Sequence, residues 1–147
     1  MKRRIASFAL IVGLAGLLGA SPAAADDARL YAILTGAAER PGPGDPDAVG
    51  RVVITIDDAA NRICAAVQFT DASLPTTGMH IHLAPPTSPG PVVVGFSNPT
   101  TYQSYECRTV EDEALLDDIA ANPGRYYFNV HNQEYPGGFI RGQLQAI

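Results

Sequence analysis

Gly78-Met79-His80-Ile81-His82-Leu83 alternates apolar and polar side chains, the pattern of a strand with one face on a core and the other turned away from it. Met79, Ile81 and Leu83 then point inward. His80 and His82 share the opposite face, about 7 Å apart along the backbone, because each strand residue advances about 3.3 Å. The chain holds three histidines. Two are in this stretch, and the third, His131, closes a second alternating run from Gly124 to His131. How those two runs meet in space decides what chemistry the chain can perform.

The segments on either side read as further strands. Arg29 to Thr35 is the first. A loop from Gly36 to Ala48 follows, punctuated by Pro41-Gly42, Pro43-Gly44 and Asp45-Pro46. Gly50 to Asp57 is rich in β-branched residues, and after a turn the chain returns over Arg62 to Thr70. Val52, Ile54 and Ile56 match Ile63, Ala65, Val67 and Phe69 on one face, so the two form an antiparallel hairpin with Cys64 pointing away from the core. The histidine strand spans 78–84, and a proline-rich loop separates it from the strand Pro91 to Phe96. Ser97 to Thr109 has no clear period and reads as a loop. One short helix is expected over 110–121, with Thr109 as its N-cap, Asp112 three residues later, a stripe of Leu115, Leu116 and Ile119, and a stop at Asn122-Pro123-Gly124.

The last third is a hairpin of 124–131 and 138–144. Matching its apolar faces sets Val130 opposite Ile140, Phe128 opposite Gly142, Asn129 opposite Arg141 and His131 opposite Phe139, since a one-residue slip inverts a strand. Gly142 would leave room for Phe128. The whole is about seven short strands and one helix, an all-β antiparallel Greek-key sandwich of the immunoglobulin-like or superoxide-dismutase-like kind.

Residues 1–25 have the form of a secretory signal peptide. Lys2, Arg3 and Arg4 precede an apolar run from Ile5 to Leu18, and Ala23-Ala24-Ala25 offers a cleavage site. The mature chain would be one domain over 26–147, with no later run long enough to span a bilayer. Of ten basic residues three leave with the leader, so seven arginines face fifteen acids and the net charge is −8. That balance makes the chain a poor candidate for nucleic acid or anionic membranes. Two cysteines, Cys64 and Cys107, permit one intramolecular pairing in an oxidising compartment. It would close a loop of about 44 residues and contribute about 4 kcal/mol through chain entropy.

Several segments now carry a resemblance: Leu34-Thr35-Gly36 with Glu39, Gly50-Arg51-Val52, Met79-His80-Ile81-His82, Gly90-Pro91-Val92-Val93-Val94, and Tyr127-Phe128-Asn129-Val130-His131 running into Tyr135-Pro136-Gly137-Gly138-Phe139-Ile140-Arg141-Gly142-Gln143-Leu144. From about residue 29 to 144 the chain resembles the CHRD domain, the repeated module of chordin that also occurs singly in secreted bacterial proteins. The chain departs from the family at Arg40-Pro41-Gly42, where Val-Pro-Pro is usual after the glutamate. The resemblance implies an extracytoplasmic β-domain, and it does not carry over the growth-factor ligand of chordin.

For function, no serine stands in a nucleophile motif and no phosphate loop is present, so catalysis is not the expectation. His80, His82 and His131 admit two readings. In one they anchor a polar network, bonding loop carbonyls, Asn129 or tyrosine hydroxyls. In the other they hold zinc or copper, two from one strand face and one from its neighbour, with a fourth position for water. Paired copper-zinc chemistry of the superoxide dismutase type is excluded because the chain has too few histidines. Arg141, facing Asn129, is expected as a structural tie to a carboxylate. The chain thus reads as a secreted or extracytoplasmic, non-catalytic binding or structural module with a protein or cell-surface partner, and alternatively as a metal-binding protein.

Overall fold

The computed structural model describes residues 27–147, so the leader expected over 1–25 lies outside the described residues. Nine strands form the fold: β1 Ala28–Thr35, β2 Val49–Asp57, β3 Arg62–Thr70, β4 Thr76–Leu83, β5 Val92–Phe96, β6 Gln103–Thr109, β7 Tyr126–Asn132, β8 Ile140–Gln143 and β9 Gln145–Ala146. One helix, α1 Glu113–Ala121, precedes β7. All pairings are antiparallel. The strands lie in one continuous sheet in the order β5-β4-β7-β8-β1-β2-β3-β6, with β9 paired to β1.

The all-β antiparallel class is as expected, but the sheet is one nearly closed barrel rather than two separate layers. Its two outermost strands are bridged by side chains. The backbone N–H and hydroxyl of Ser97, just after β5, donate to the carboxylate of Glu106 on β6 at 2.6 and 3.0 Å, and Arg108 donates to the Ser97 hydroxyl. Closure of this kind leaves little free strand edge.

The core follows from the period-2 patterns. In β2 and β3, Val52 sits across from Val67, Ile54 from Ala65 and Ile56 from Ile63, all but fully buried. Met79 and Ile81 of β4 and Phe128 and Val130 of β7 complete the same interior. Each such side chain contributes about 1.5–3 kcal/mol by leaving water. Leu116 and Ile119 of α1 close one end of the interior.

The C-terminal register is as matched from the faces: Val130 pairs with Ile140, Asn129 with Arg141 and Phe128 with Gly142. The expected partner of His131 is not Phe139. Phe139 lies outside β8 and turns its ring into the core, edge-on to Phe69 at 5.4 Å. The reason for glycine at 142 is also different. A Cβ there would come within 2.1 Å of the Ile33 carbonyl, so Gly142 lets β1 cross close beneath β8 rather than making space for Phe128.

Two further expectations are corrected. Gln103–Thr109, read as loop, is a full strand, with Cys64 across from Cys107 and Ala66 across from Tyr105. Because Thr109 belongs to that strand and pairs with Arg62, it cannot cap the helix. Asp112 does so instead, accepting from the Leu115 N–H at 3.2 Å, and α1 begins at Glu113 rather than 110.

Cys64 and Cys107 form a disulfide on the outer face of the sheet. It ties β3 to β6 at a sequence separation of 43. Non-reduced mature protein is expected to weigh two hydrogens less than the reduced form by mass spectrometry. The Cys64→Ala/Cys107→Ala variant is expected to lose about 2–4 kcal/mol of stability in urea titration. Two freely alkylated thiols in the native protein would contradict this.

Candidate functional site

The site is built by the pairing of β4 with β7, where His80 lies across from Asn129, Gly78 from His131 and His82 from Tyr127. The two histidine runs are therefore neighbours, and their outward side chains share one surface. Gly78 makes this possible: a Cβ on it would come within 2.7 Å of the His80 ring and 3.1 Å of the His131 ring. Without a side chain there, the rings converge. Their centroids are 5.5 Å apart for His80 and His82, 5.2 Å for His80 and His131, and 6.3 Å for His82 and His131. One nitrogen from each lies within 4.8 Å of the others.

Loops cover this face and fix the rings. His82 Nδ1–H donates to the Gly90 carbonyl at 2.8 Å. The ring lies flat against Tyr127, 4.7 Å between centroids and 8° between planes. The Tyr127 hydroxyl accepts from the Gly90 N–H at 3.3 Å. Arg141 places its guanidinium carbon 3.4 Å from the Tyr127 ring centre and donates to the carbonyls of Ser88 and Pro85 at 3.1 and 2.9 Å. The expected carboxylate tie is thus absent among the described residues. Carbonyl oxygens and an aromatic face hold this guanidinium instead, which suits a weakly hydrated, planar cation.

His131 sits between two oxygens, Pro136 O at 3.1 Å from Nδ1 and Asn129 Oδ1 at 3.1 Å from Nε2. A neutral imidazole has one N–H. The Pro136 carbonyl can only accept, so Nδ1 carries the hydrogen and Nε2 presents a lone pair. The Asn129 amide satisfies that lone pair when its NH2 group is turned toward the ring. The polar-network reading thus accounts for His82 Nδ1 and for both nitrogens of His131.

It does not account for two atoms. His80 Nδ1 and His82 Nε2 are buried without a hydrogen-bond partner, each a cost of about 1–3 kcal/mol if nothing else binds them. All three rings are held neutral. Burial pulls His80 down to about 4, helped by the charges His131 and His82 would carry. Burial also lowers His82 and His131, against the opposing pull of their carbonyl partners. Two of the rings, His82 and His131, are steered by a bond from Nδ1 to a backbone carbonyl, and His82 keeps Nε2 unbonded, an orientation that metal-ligating histidines adopt.

Sequence reading missed the chemistry of Glu39, which appeared there only as part of a motif. Its side chain is 2 % exposed, and its Oε1 has no partner. Burial pushes its carboxyl up to about 7, and the nearby Arg141 guanidinium and Asn129 amide offset part of that rise. Asn129, itself buried, therefore stands between the acid and the histidines.

A family model for the CHRD domain matches residues 30–144. No curated protein and no solved structure matches the chain.

The charges of this site make opposing contributions to stability. Glu39 is raised in the fold, so its contribution is complete below pH 4.5 and is lost as pH rises through about 7. His80 is depressed, so its contribution is complete above pH 6.5 and is lost as pH falls through about 4. Between those limits the two partly cancel. Glu39→Gln removes the first and leaves the second. At pH 8 the variant is expected to be about 3 kcal/mol more stable than the wild type, and to match it near pH 4. Melting curves from pH 4 to 8 check this, and parallel curves for the two proteins would refute it.

Proposed function

The chain belongs to the CHRD domain family, and on that premise we propose that it is an exported, non-catalytic binding module that holds one zinc or copper ion on His80, His82 and His131. A disulfide and a CHRD domain are both typical of extracellular proteins. Residues 1–25 supply the leader in this reading, and no helix among the described residues is long and apolar enough to cross a membrane. The partner it serves is a protein or a cell surface rather than nucleic acid, in keeping with its acidic balance.

The observation that supports the ion is the convergence of three neutral rings with two buried nitrogens unbonded. Three points no more than 4.8 Å apart share a centre no more than about 2.8 Å from each. Small ring rotations close that to the roughly 2.1 Å of a zinc–nitrogen bond. The ion must also displace Asn129 from His131, because that ring has no idle nitrogen. Three histidines leave a fourth position for water or a partner's side chain.

Purified mature protein is expected to take up about one zinc or copper per chain, to melt at higher temperature when loaded, and to lose both properties in His82→Ala. If metal leaves the melting temperature unchanged while His82→Ala still costs about 1–3 kcal/mol, the histidines are anchors of the loops alone and the ion reading fails.

A further inference from the structure

The outer surface of β1, β2, β3 and β6 is a different case from the histidine face, because no loop covers it. Its side chains fall into rows set by the register. One row is Ile33, Arg51, Gln68 and Gln103, and the next is Tyr31, Val53, Ala66 and Tyr105. Small Ala66 lies between larger neighbours, so the rows enclose a groove of about 560 Å³ lined by Arg51, Val53, Ala66, Gln68, Gln103 and Tyr105. That volume is within the range of small-ligand sites. Tyr105 is 72 % exposed. Its hydroxyl reaches the Cys107 sulfur at 3.4 Å, two residues along the same face. The ring is therefore laid along the strand, beside the disulfide, as a platform.

Arg51 is held ready in a specific way. Its Nε and Nη2 both donate to the Gln68 side-chain oxygen, at 3.1 and 2.7 Å. One edge of the guanidinium is thereby fixed by a neutral group. The end-on edge, with one hydrogen on Nη1 and the second hydrogen on Nη2, keeps the geometry that receives a carboxylate through two parallel bonds. Among the described residues no carboxylate pairs with it, and the one acid on this face, Asp57, is tied to Arg62 at 2.7 Å. A chain otherwise rich in acids thus displays here an unneutralised, oriented cation.

The groove offers no backbone. β2 pairs with β1 and β3, and β3 pairs with β2 and β6, so the strands that floor the groove have no free N–H or C=O; the outer edge of β6 lies to one side of it, and recognition within the groove runs through side chains. Those side chains are an aromatic platform, two neutral amides and one oriented guanidinium. From strand spacing and rise, Arg51 and Tyr105 stand about 12 Å apart. That is too far for one sugar ring and suits a short run of linked rings. We propose that this face binds an acidic polysaccharide, with the C–H face of one sugar on Tyr105, hydroxyls on Gln68 and Gln103, and a uronate carboxylate on Arg51. The net acidity of the protein does not forbid this, because charges more than about 8 Å away are largely screened at physiological salt.

The probe is tetragalacturonate, titrated calorimetrically into the mature protein, with maltotetraose as the neutral counterpart. Saturable binding of the uronate and none of the neutral sugar is expected. Arg51→Gln and Tyr105→Ala are each expected to weaken it at least tenfold with unchanged melting temperatures, Tyr105→Phe to retain it, and His82→Ala to leave it unchanged. Absence of saturable binding, equal binding of both sugars, or full binding by Tyr105→Ala overturns the proposal. So does concentration-dependent dimerisation by sedimentation that Tyr105→Ala abolishes, since the face would then serve a second copy of the chain.

Discussion

The buried guanidinium of Arg141 is the contact on which the histidine face depends. At 1 % exposure a charge without partners would be prohibitive, and truncating one partner of such a group is costly in general. Here the charge is spread over two loop carbonyls and the face of Tyr127. Those same groups fix everything above them. The carbonyls belong to the 85–88 stretch, which leads to Gly90, and Gly90 positions His82. Tyr127 is also the surface against which the His82 ring lies. One cation therefore pins a proline-rich loop, an aromatic ring and an imidazole, and its direct contacts are carbonyls and a ring face rather than a carboxylate. Burial lowers the pKa of the guanidinium, which fits a head group that has exchanged water for weakly polar neighbours.

What could be read from residues alone divides along a physical line. Strands with one face in the core were legible because burial imposes period 2, as in 52–56 against 63–69 and in 126–130 against 140–142. Strand β6 was not, because none of its residues is buried; its order comes from pairing with β3 and from the disulfide, and neither leaves an apolar alternation. The helix start was misplaced for a related reason. Thr109 has the chemistry of a cap, but its backbone is committed to β6, and a cap must sit where the chain has already turned. Gly142 was read through its cross-strand neighbour, whereas the close approach comes from a strand distant in sequence.

The candidate site was legible in its three histidines and not in its surroundings. Alternation alone put His80, His82 and His131 away from the core, and matching faces put Asn129 beside Arg141. Glu39 could not be placed that way. It follows β1 in a loop with no period, and its burial under the 134–138 loop is a tertiary fact. The carbonyl partners of His82 and His131 lie in loops too, where sequence spacing says little about distance.

Whether the three rings hold an ion turns on a competition within the network itself. Left alone, His131 has both nitrogens engaged while His80 and His82 each keep one buried nitrogen idle. The network is therefore satisfied on one side and deficient on the other. An ion at the centre reverses this. It satisfies the two idle nitrogens, worth about 1–3 kcal/mol each in relieved desolvation, and costs the single Asn129 contact, worth about 1 kcal/mol net. The released Asn129 amide can turn its NH2 group to Glu39, which carries an unpartnered oxygen. The displaced group need not be left unpaired. On this reckoning the bonds an ion would make to the two idle nitrogens outweigh the Asn129 contact it would displace, and the buried acid behind Asn129 offers the freed amide a partner.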